Sequence, residues 1–93
     1  MESFEFIESA LIFGLDNKRS LREFRYSAKD FAKFGEVYTF IVKHFDDYGE
    51  FPSPELLIQE YSPIGLHPEA QSVNFDYALD SFKDQVLQRQ IIS

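Results

Sequence analysis

Cysteine and tryptophan do not occur in this chain, and its 93 residues include only four glycines and four prolines. Without cysteine, a disulfide scaffold and a thiolate zinc site are both excluded, which suits a reducing cytoplasm. No apolar run approaches the ~18 residues that a membrane-spanning helix needs. Glu2, Glu5 and Glu8 stand where a secretory signal would carry basic residues. We therefore expect a soluble, cytoplasmic protein that does not enter a membrane.

Sequence signatures of catalysis are also missing. Neither the G-x-x-x-x-G-K-[ST] phosphate loop nor the G-x-S-x-G nucleophile turn occurs. The two histidines, His44 and His67, belong to no recurring metal-binding motif. Asp46, Asp47 and Glu50 form an acidic cluster, but their spacing is not that of a calcium loop. We predict that the chain is not an enzyme and binds no metal or cofactor.

Apolar residues are plentiful and follow helical spacing. They make up 44% of the sequence, with 11 phenylalanines and 5 tyrosines, which is enough for one core in a single domain spanning residues 1–93. No segment alternates apolar and polar residues for more than a few positions, so strands are not expected. We predict an all-α fold, a compact orthogonal bundle of about five or six short helices around a shared aromatic core.

Helix start and stop signals divide the chain. A first helix is predicted from about Glu2 to Phe13, with Gly14 as its stop, and Asp16 or Asn17 can cap a second. Ser27 and Asp30 have capping-box spacing, and Phe31 and Phe34 follow on one predicted face. The clearest helix runs from Glu36 to Tyr48, ends at Gly49, and has a core stripe predicted at Val37, Ile41, Phe45 and Tyr48. Ser53 and Pro54 start the next helix, and Asn74 caps the last one.

The last helix changes its apolar face near its end. Phe75, Leu79, Phe82 and Val86 share one direction, but the polar Arg89, Gln90 and Ser93 would occupy that stripe next. Leu87 and Ile91 open a second apolar stripe roughly 120–160° away, at ~100° per residue. We predict that residues 87–93 belong to an inter-subunit surface or to the next element of a longer chain, with a fraying helix end as the alternative. The candidate protein-interaction residues are Leu87, Ile91 and Ile92.

Charge is distributed unevenly. The net charge is −7, which disfavours nonspecific binding of nucleic acid. One 16-residue stretch nevertheless carries six basic residues against two acidic ones, a net of +4, and leaves −11 for the remaining 77 residues. We favour a solvated basic face over a patch for nucleic acid or an acidic partner. The residues of this candidate basic patch are Lys18, Arg19, Arg22, Arg25, Lys29 and Lys33.

Several segments together resemble the N-terminal domain of DnaB-type replicative helicases, particularly their bacteriophage relatives. The segments are the acidic first helix with its apolar end "ESALIF", the pair Asp30-Phe31, the helix "EVYTFIVKHFDDYG", the proline-led "FPSPELLIQEY" and the closing "DQVLQRQII" with its lone arginine. The histidine that often precedes the corresponding helix in bacterial members is Gly35 or Glu36 here. This departure indicates a divergent phage or prophage member.

The resemblance implies a non-catalytic collar domain. In that family the domain is a helical globule followed by a helical hairpin; it self-associates in the helicase ring and contacts primase or the helicase loader, while ATP hydrolysis belongs to a separate C-terminal domain. A piece ending where the hairpin begins would be monomeric or weakly dimeric. The alternative is a stand-alone, acidic phage or prophage regulatory protein that binds a host protein. A nucleic-acid binder that uses the basic stretch is a third hypothesis.

Overall fold

Five α-helices and three 3₁₀ turns make up the computed structural model, which describes the backbone of residues 3–92 and the side chains of residues 3–89. No strand occurs among these residues. The all-α prediction is therefore confirmed. In chain order the helices are α1 (Phe4–Gly14), α2 (Lys18–Glu23), α3 (Gly35–Tyr48), α4 (Pro54–Tyr61) and α5 (Phe75–Ile92). The 3₁₀ turns are Ala28–Asp30, Ser62–Ile64 and Pro68–Ser72.

Helix α1 lies at the centre of the molecule. Every residue from Ile7 to Phe13 is buried, including the polar Glu8 and Ser9. A helix that is buried all round needs neighbours on every side. The most extensive contacts of α1 are with α5 and with the turn Pro68–Ser72. The Ser9 hydroxyl contributes to the second contact by accepting a hydrogen bond from the His67 N–H at 3.1 Å.

Aromatic rings join the segment after α2 to α5. Phe24, Phe31 and Phe82 contact one another, with ring centroids separated by 5.0–5.7 Å. Tyr38 of α3 lies 5.1 Å from Phe24 and 5.7 Å from Phe31. Aromatic pairs at these separations add stability beyond the burial of their area. The shared aromatic core thus holds elements that are far apart in the sequence.

The predicted capping residues act as expected. The side chains of Asn17, Ser53 and Asn74 accept hydrogen bonds from the first turns of α2, α4 and α5, at 2.8, 3.2 and 3.1 Å. Gly49 ends α3 in the left-handed conformation, with φ of 69°. In the turn Ala28–Asp30, the Asp30 carboxylate accepts a hydrogen bond from the Ser27 N–H at 2.8 Å. These capping residues can be recognised in the sequence because each interaction involves residues only a few positions apart.

Three local predictions are wrong. Gly14 is the last helical residue of α1, and Leu15 is its C-cap. Phe31 and Phe34 lie on either side of a bend rather than on one helical face, although both are buried. Tyr48, predicted to lie in the core stripe of α3, is 71% exposed, because the core covers Val37 and Ile41 and ends before the last turn. Glu2, the predicted start of α1, lies outside the described residues.

Candidate interaction surfaces at the end of α5 and around α1

A fully buried carboxylate joins α1 to the segment that precedes α3. The Glu8 side chain has no solvent exposure. It accepts three backbone hydrogen bonds, from the N–H groups of Ala32 at 2.6 Å, Lys33 at 3.0 Å and Phe34 at 3.1 Å. A buried charge is tolerated when it is paired and hydrogen-bonded. Glu8 therefore fixes the path of the chain between the turn Ala28–Asp30 and α3.

Arg89 brings the end of α5 to the same place. Its guanidinium Nη1 lies 3.7 Å from Glu8 Oε2, and its Nη2 donates a hydrogen bond to the Asp30 carbonyl oxygen. One side chain thus ties the last described turns of α5 both to α1 and to the turn Ala28–Asp30. We call Glu8, Arg89 and the three backbone N–H groups of residues 32–34 the Glu8 clamp.

Sequence patterns assign no role to either residue of the Glu8 clamp. In the sequence, Glu8 is only an acidic residue unsuited to a signal peptide, and Arg89 is a polar residue that ends the core stripe of α5. The available signal was periodicity, because Glu8 lies four residues after Phe4 and three before Leu11 on the apolar side of α1. Arg89 likewise continues the stripe of Phe82 and Val86. A charge on each of two apolar stripes is typical of a buried pair.

The Glu8 clamp and the buried residues Phe82 and Val86 lie on the same side of α5 and leave the opposite side to solvent. Two residues separate Leu87 from Arg89, which places them about 160° apart around the helix. With Arg89 directed towards α1, Leu87 points outward and is 47% exposed. The predicted interaction residues Ile91 and Ile92 lie outside the residues whose side chains are described. The prediction of an interaction surface at Leu87, Ile91 and Ile92 therefore stays a prediction.

An apolar cleft lies on the clamp side of α5. Its volume is about 270 Å³. It is lined by Phe4 of α1, by Ala32, and by Gln85, Gln88 and Arg89 of α5. Phe4 is 44% exposed at its mouth. The end of α5 thus presents apolar surface in two directions, at Leu87 and at this cleft.

Two members of the predicted basic patch, Lys33 and Lys18, lie near opposite ends of α1. All six members are exposed: Lys18, Arg19, Arg22, Arg25, Lys29 and Lys33. Lys33 pairs with Glu5 at the start of α1, with 2.6 Å between Nζ and Oε2, and this ion pair holds the pKa of Glu5 below its usual range. Lys18 follows the other end of α1, and the two ends of this helix are roughly 16 Å apart. The Lys18 Nζ lies 5.9 Å from the Phe45 ring centroid. Arg19 pairs with Glu23 at 3.0 Å.

The two histidines lie in different surroundings. His44 Nδ1 is 2.8 Å from the Glu50 carbonyl oxygen, whereas His67 Nδ1 is 3.0 Å from Glu69 Oε1. Hydrogen bonding of Glu69, first to its own backbone and then to His67, lowers the pKa of the Glu69 carboxyl. Within the described residues, no three side chains of His, Asp or Glu come together as a metal-binding group.

Comparison with known proteins identifies no relative. No protein-family model matches the sequence, and searches of curated proteins and of solved structures give no significant match. Among the helices of residues 3–92, none is both long and apolar enough to cross a membrane.

Proposed function

We propose that this chain is a non-catalytic scaffold and interaction domain of a replicative DNA helicase, in which it supports ring assembly and the docking of primase or a helicase loader. The observation that carries the proposal is the order of sequence elements that resembles the N-terminal domain of DnaB-type helicases. Four of the resembling segments coincide with complete or partial helices of the fold. They are "ESALIF" in α1, "EVYTFIVKHFDDYG" in α3, "PELLIQEY" in α4 and "DQVLQRQII" at the end of α5.

The end of α5 is where a scaffold role would be exerted. The Glu8 clamp holds these turns against the body of the domain, so the helix can leave the globule in a defined direction. Leu87 is exposed on the opposite side of the helix, and Ile91 follows four residues later in the sequence. A rigid helix with an outward apolar position is suited to pairing with a second helix. Self-association within a ring would use this surface.

A stand-alone acidic regulatory protein of a phage or prophage, which binds a host protein, is the second candidate. It is favoured by the net charge of −7. The gene distinguishes the two candidates directly. A linker followed by an ATPase domain with a phosphate-binding loop, encoded after Ser93, is expected for the helicase domain. A stop codon at that point would contradict the helicase proposal and favour the regulatory protein.

The α5 surface can be tested by sedimentation equilibrium on the purified chain. We expect a 10.9 kDa monomer at micromolar concentration and weak dimerisation at high concentration. Leu87→Asp should abolish the dimer because it places a charge in the contact. Gln59→Asp is the matched control, since it introduces the same charge at an exposed position of α4 that belongs to neither surface at the end of α5. A stable hexamer, or a dimer that is equally sensitive to both substitutions, would contradict this role for the end of α5.

The remaining hypothesis, binding of nucleic acid through the basic stretch, has its own test. A titration with single-stranded DNA at low salt should show no binding if the domain acts through proteins. Salt-sensitive binding that is lost in Arg22→Glu and Arg25→Glu variants would favour the nucleic-acid hypothesis instead.

A further inference from the structure

Aromatic side chains form a continuous row along the outer side of α3. Tyr61 of α4 contacts Phe40, with ring centroids 5.6 Å apart. Phe40 contacts His44 at 5.7 Å, and His44 contacts Tyr48 at 4.9 Å. The spacing of four residues brings the three α3 side chains onto neighbouring turns of one side of the helix. We call Tyr61, Phe40, His44 and Tyr48 the aromatic row.

The aromatic row runs from the edge of the hydrophobic core, against which Phe40 and Tyr61 pack, to solvent at Tyr48. The buried side of α3 consists of Val37 and Ile41, which have no solvent exposure. The members of the row are all at least partly exposed, and Tyr48 at its end is 71% exposed. Leaving a large aromatic ring in water gives up the free energy that its burial would provide. Core packing therefore does not account for Tyr48.

Negative charge surrounds the aromatic row. Residues 35–61 contain six acidic residues and one lysine, a net of −5 out of −7 for the whole chain. Two of these carboxylates act on the row itself. Burial raises the pKa of Tyr61, and the nearby charges of Glu36 and Glu60 raise it further. Glu36 also precedes Phe40 by one turn, so it extends the line of the row along α3.

The C-terminal end of α3 adds to this negative field. The partial charge at a helix C-terminus is negative, and cations are favoured there. The last turn of α3 has no basic residue, and it carries Asp46 and Asp47 instead. Asp47 is paired with Lys43 one turn earlier, with 2.8 Å between Nζ and Oδ2, and among the described side chains Asp46 has no such ion pair. This arrangement opposes local helix stability, and a cation from outside would relieve it.

His44 contributes a hydrogen-bond acceptor. The Glu50 carbonyl oxygen can only accept, so His44 Nδ1 must carry the proton in their 2.8 Å contact. In the neutral ring Nε2 then has a free lone pair. The surface thus combines aromatic faces, carboxylates, a helix C-terminus and an imidazole acceptor. Each of these attracts a cation or an N–H donor.

We infer that the aromatic row is a docking site for an arginine-bearing, basic segment of a partner protein. A guanidinium is planar and carries five N–H donors, so it can stack on an aromatic ring while it pairs with a carboxylate or donates to an imidazole nitrogen. The rings of Phe40 and Tyr48 are roughly 12 Å apart along α3. One arginine can therefore bind at Phe40 with Glu36 or Glu60, and a second at Tyr48 with His44. Phosphate backbones and acidic peptides would be repelled by the net charge of −5. The inference rests on the proposed docking role but makes no use of the α5 surface.

Binding can be measured by titrating the ¹⁵N-labelled chain with a short synthetic peptide that alternates arginine and glycine. Amide shifts are expected in residues 36–48 and 60–61. Tyr48→Ala should weaken the peptide affinity about fivefold, the size expected for loss of one exposed cation–π contact. Tyr77→Ala removes a half-exposed tyrosine from α5 and is the matched control, which should leave the affinity unchanged. The lysine–glycine version of the peptide should bind more weakly.

Carboxylate substitutions test the electrostatic part of the site. Glu36→Gln and Glu60→Gln should each weaken binding at low salt, whereas Asp80→Asn on α5 removes the same charge and should not. The inference would be overturned in favour of simple charge attraction by two results together. These are amide shifts spread over all acidic surfaces and an equal loss of peptide affinity in Tyr48→Ala and Tyr77→Ala. Displacement of the peptide from the aromatic row by oligothymidylate would overturn it in favour of a nucleic-acid site.

The two proposals fail independently. Leu87→Asp should retain peptide binding even where it abolishes self-association, because Leu87 lies on α5. A gene that ends after Ser93 would remove the helicase proposal but leave the docking inference standing. Loss of peptide binding on Leu87→Asp, in a folded variant, would contradict the separate site on α3.

Discussion

Replacing Glu8 with glutamine should destabilise the fold severely while preserving the shape of the side chain. The Glu8 carboxylate receives N–H groups on both oxygens, from Lys33 and Phe34 on Oε1 and from Ala32 on Oε2. Arg89 adds its charge on the Oε2 side. A glutamine amide has only one oxygen. Whichever way it is oriented, at least one backbone N–H faces an NH₂ group, and Arg89 loses its anionic partner.

The expected cost is about 3–5 kcal/mol. Leaving one donor without its charged acceptor costs ~1.5–3 kcal/mol, and the remaining bonds weaken by roughly half when the acceptor is neutral. Loss of the Arg89 ion pair adds less than the ~3–5 kcal/mol of a fully buried pair, because the Arg89 side chain is 38% exposed and its Nη1 lies 3.7 Å from the carboxylate. A domain of 93 residues has a free energy of unfolding of roughly 5–14 kcal/mol. Glu8→Gln should therefore remove about a fifth or more of the free energy of unfolding.

Urea denaturation followed by far-UV circular dichroism measures this loss. The transition midpoint should fall with little change in the slope. Glu23→Gln, which removes an exposed carboxylate paired with Arg19, is the matched control and should cost under about 1 kcal/mol. A loss of less than about 1 kcal/mol in Glu8→Gln would refute the structural role of the carboxylate.

A double variant separates the two roles of the carboxylate. If Glu8 served only as the partner of Arg89, replacing both by apolar residues, as in Glu8→Leu with Arg89→Met, should be nearly neutral. The three N–H groups of residues 32–34 have no replacement acceptor in that variant. We therefore expect it to remain less stable than the wild type, because these hydrogen bonds are lost. Recovery of wild-type stability in the double variant would show that the backbone contacts contribute nothing.

Two further predictions concern α1, α3 and the segment between them. Gly35→Ala should destabilise the fold by about 1–3 kcal/mol in a thermal unfolding assay, because the new Cβ would lie 2.4 Å from the Ala28 carbonyl oxygen. Helix propensity alone would predict that alanine stabilises the fold by ~1 kcal/mol at this position. A more stable variant would therefore contradict the close packing of Gly35 on Ala28. Lys33→Met should raise the pKa of Glu5 in an NMR titration, since the Lys33 hydrogen bond and charge hold it down. Because the pKa of Glu5 is lower in the folded state, its contribution to the free energy of unfolding is present at neutral pH. That contribution is lost as the pH falls below about 4.3 and through the lowered folded pKa. In Lys33→Met, the decrease in the free energy of unfolding over this pH range should be smaller.

Element boundaries were largely predictable because they depend on neighbouring residues. Asn17, Ser53 and Asn74 act on N–H groups three residues away, and Gly49 ends α3 by its own backbone conformation. None of these requires the rest of the fold. The stop at Gly14 was misplaced by one residue for a related reason, since a glycine marks where a helix can end rather than where it must.

Solvent exposure on α3 was less predictable. Helical periodicity assigned Tyr48 to the stripe of Val37, Ile41 and Phe45, because spacing describes only the direction of a side chain. Whether another element covers that direction depends on where the neighbouring helices end. In the fold the core stops before the last turn of α3, and Tyr48 joins the aromatic row instead. The candidate docking site could therefore not be recognised before the helices were assembled.

Local sequence determined the helical class, the caps and the apolar stripes, since these arise from interactions within a few residues. Only the tertiary structure decided that the buried Glu8 and the partly exposed Arg89, 81 positions apart, meet. Their pairing depends on α1, α5 and the segment at residues 30–34 converging, and no periodicity encodes that convergence. Arg89 lies on the same side of α5 as the buried Phe82 and Val86, and Leu87 lies on the other side and is exposed. Which surface α5 presents thus depends on the helices and turns that pack against it.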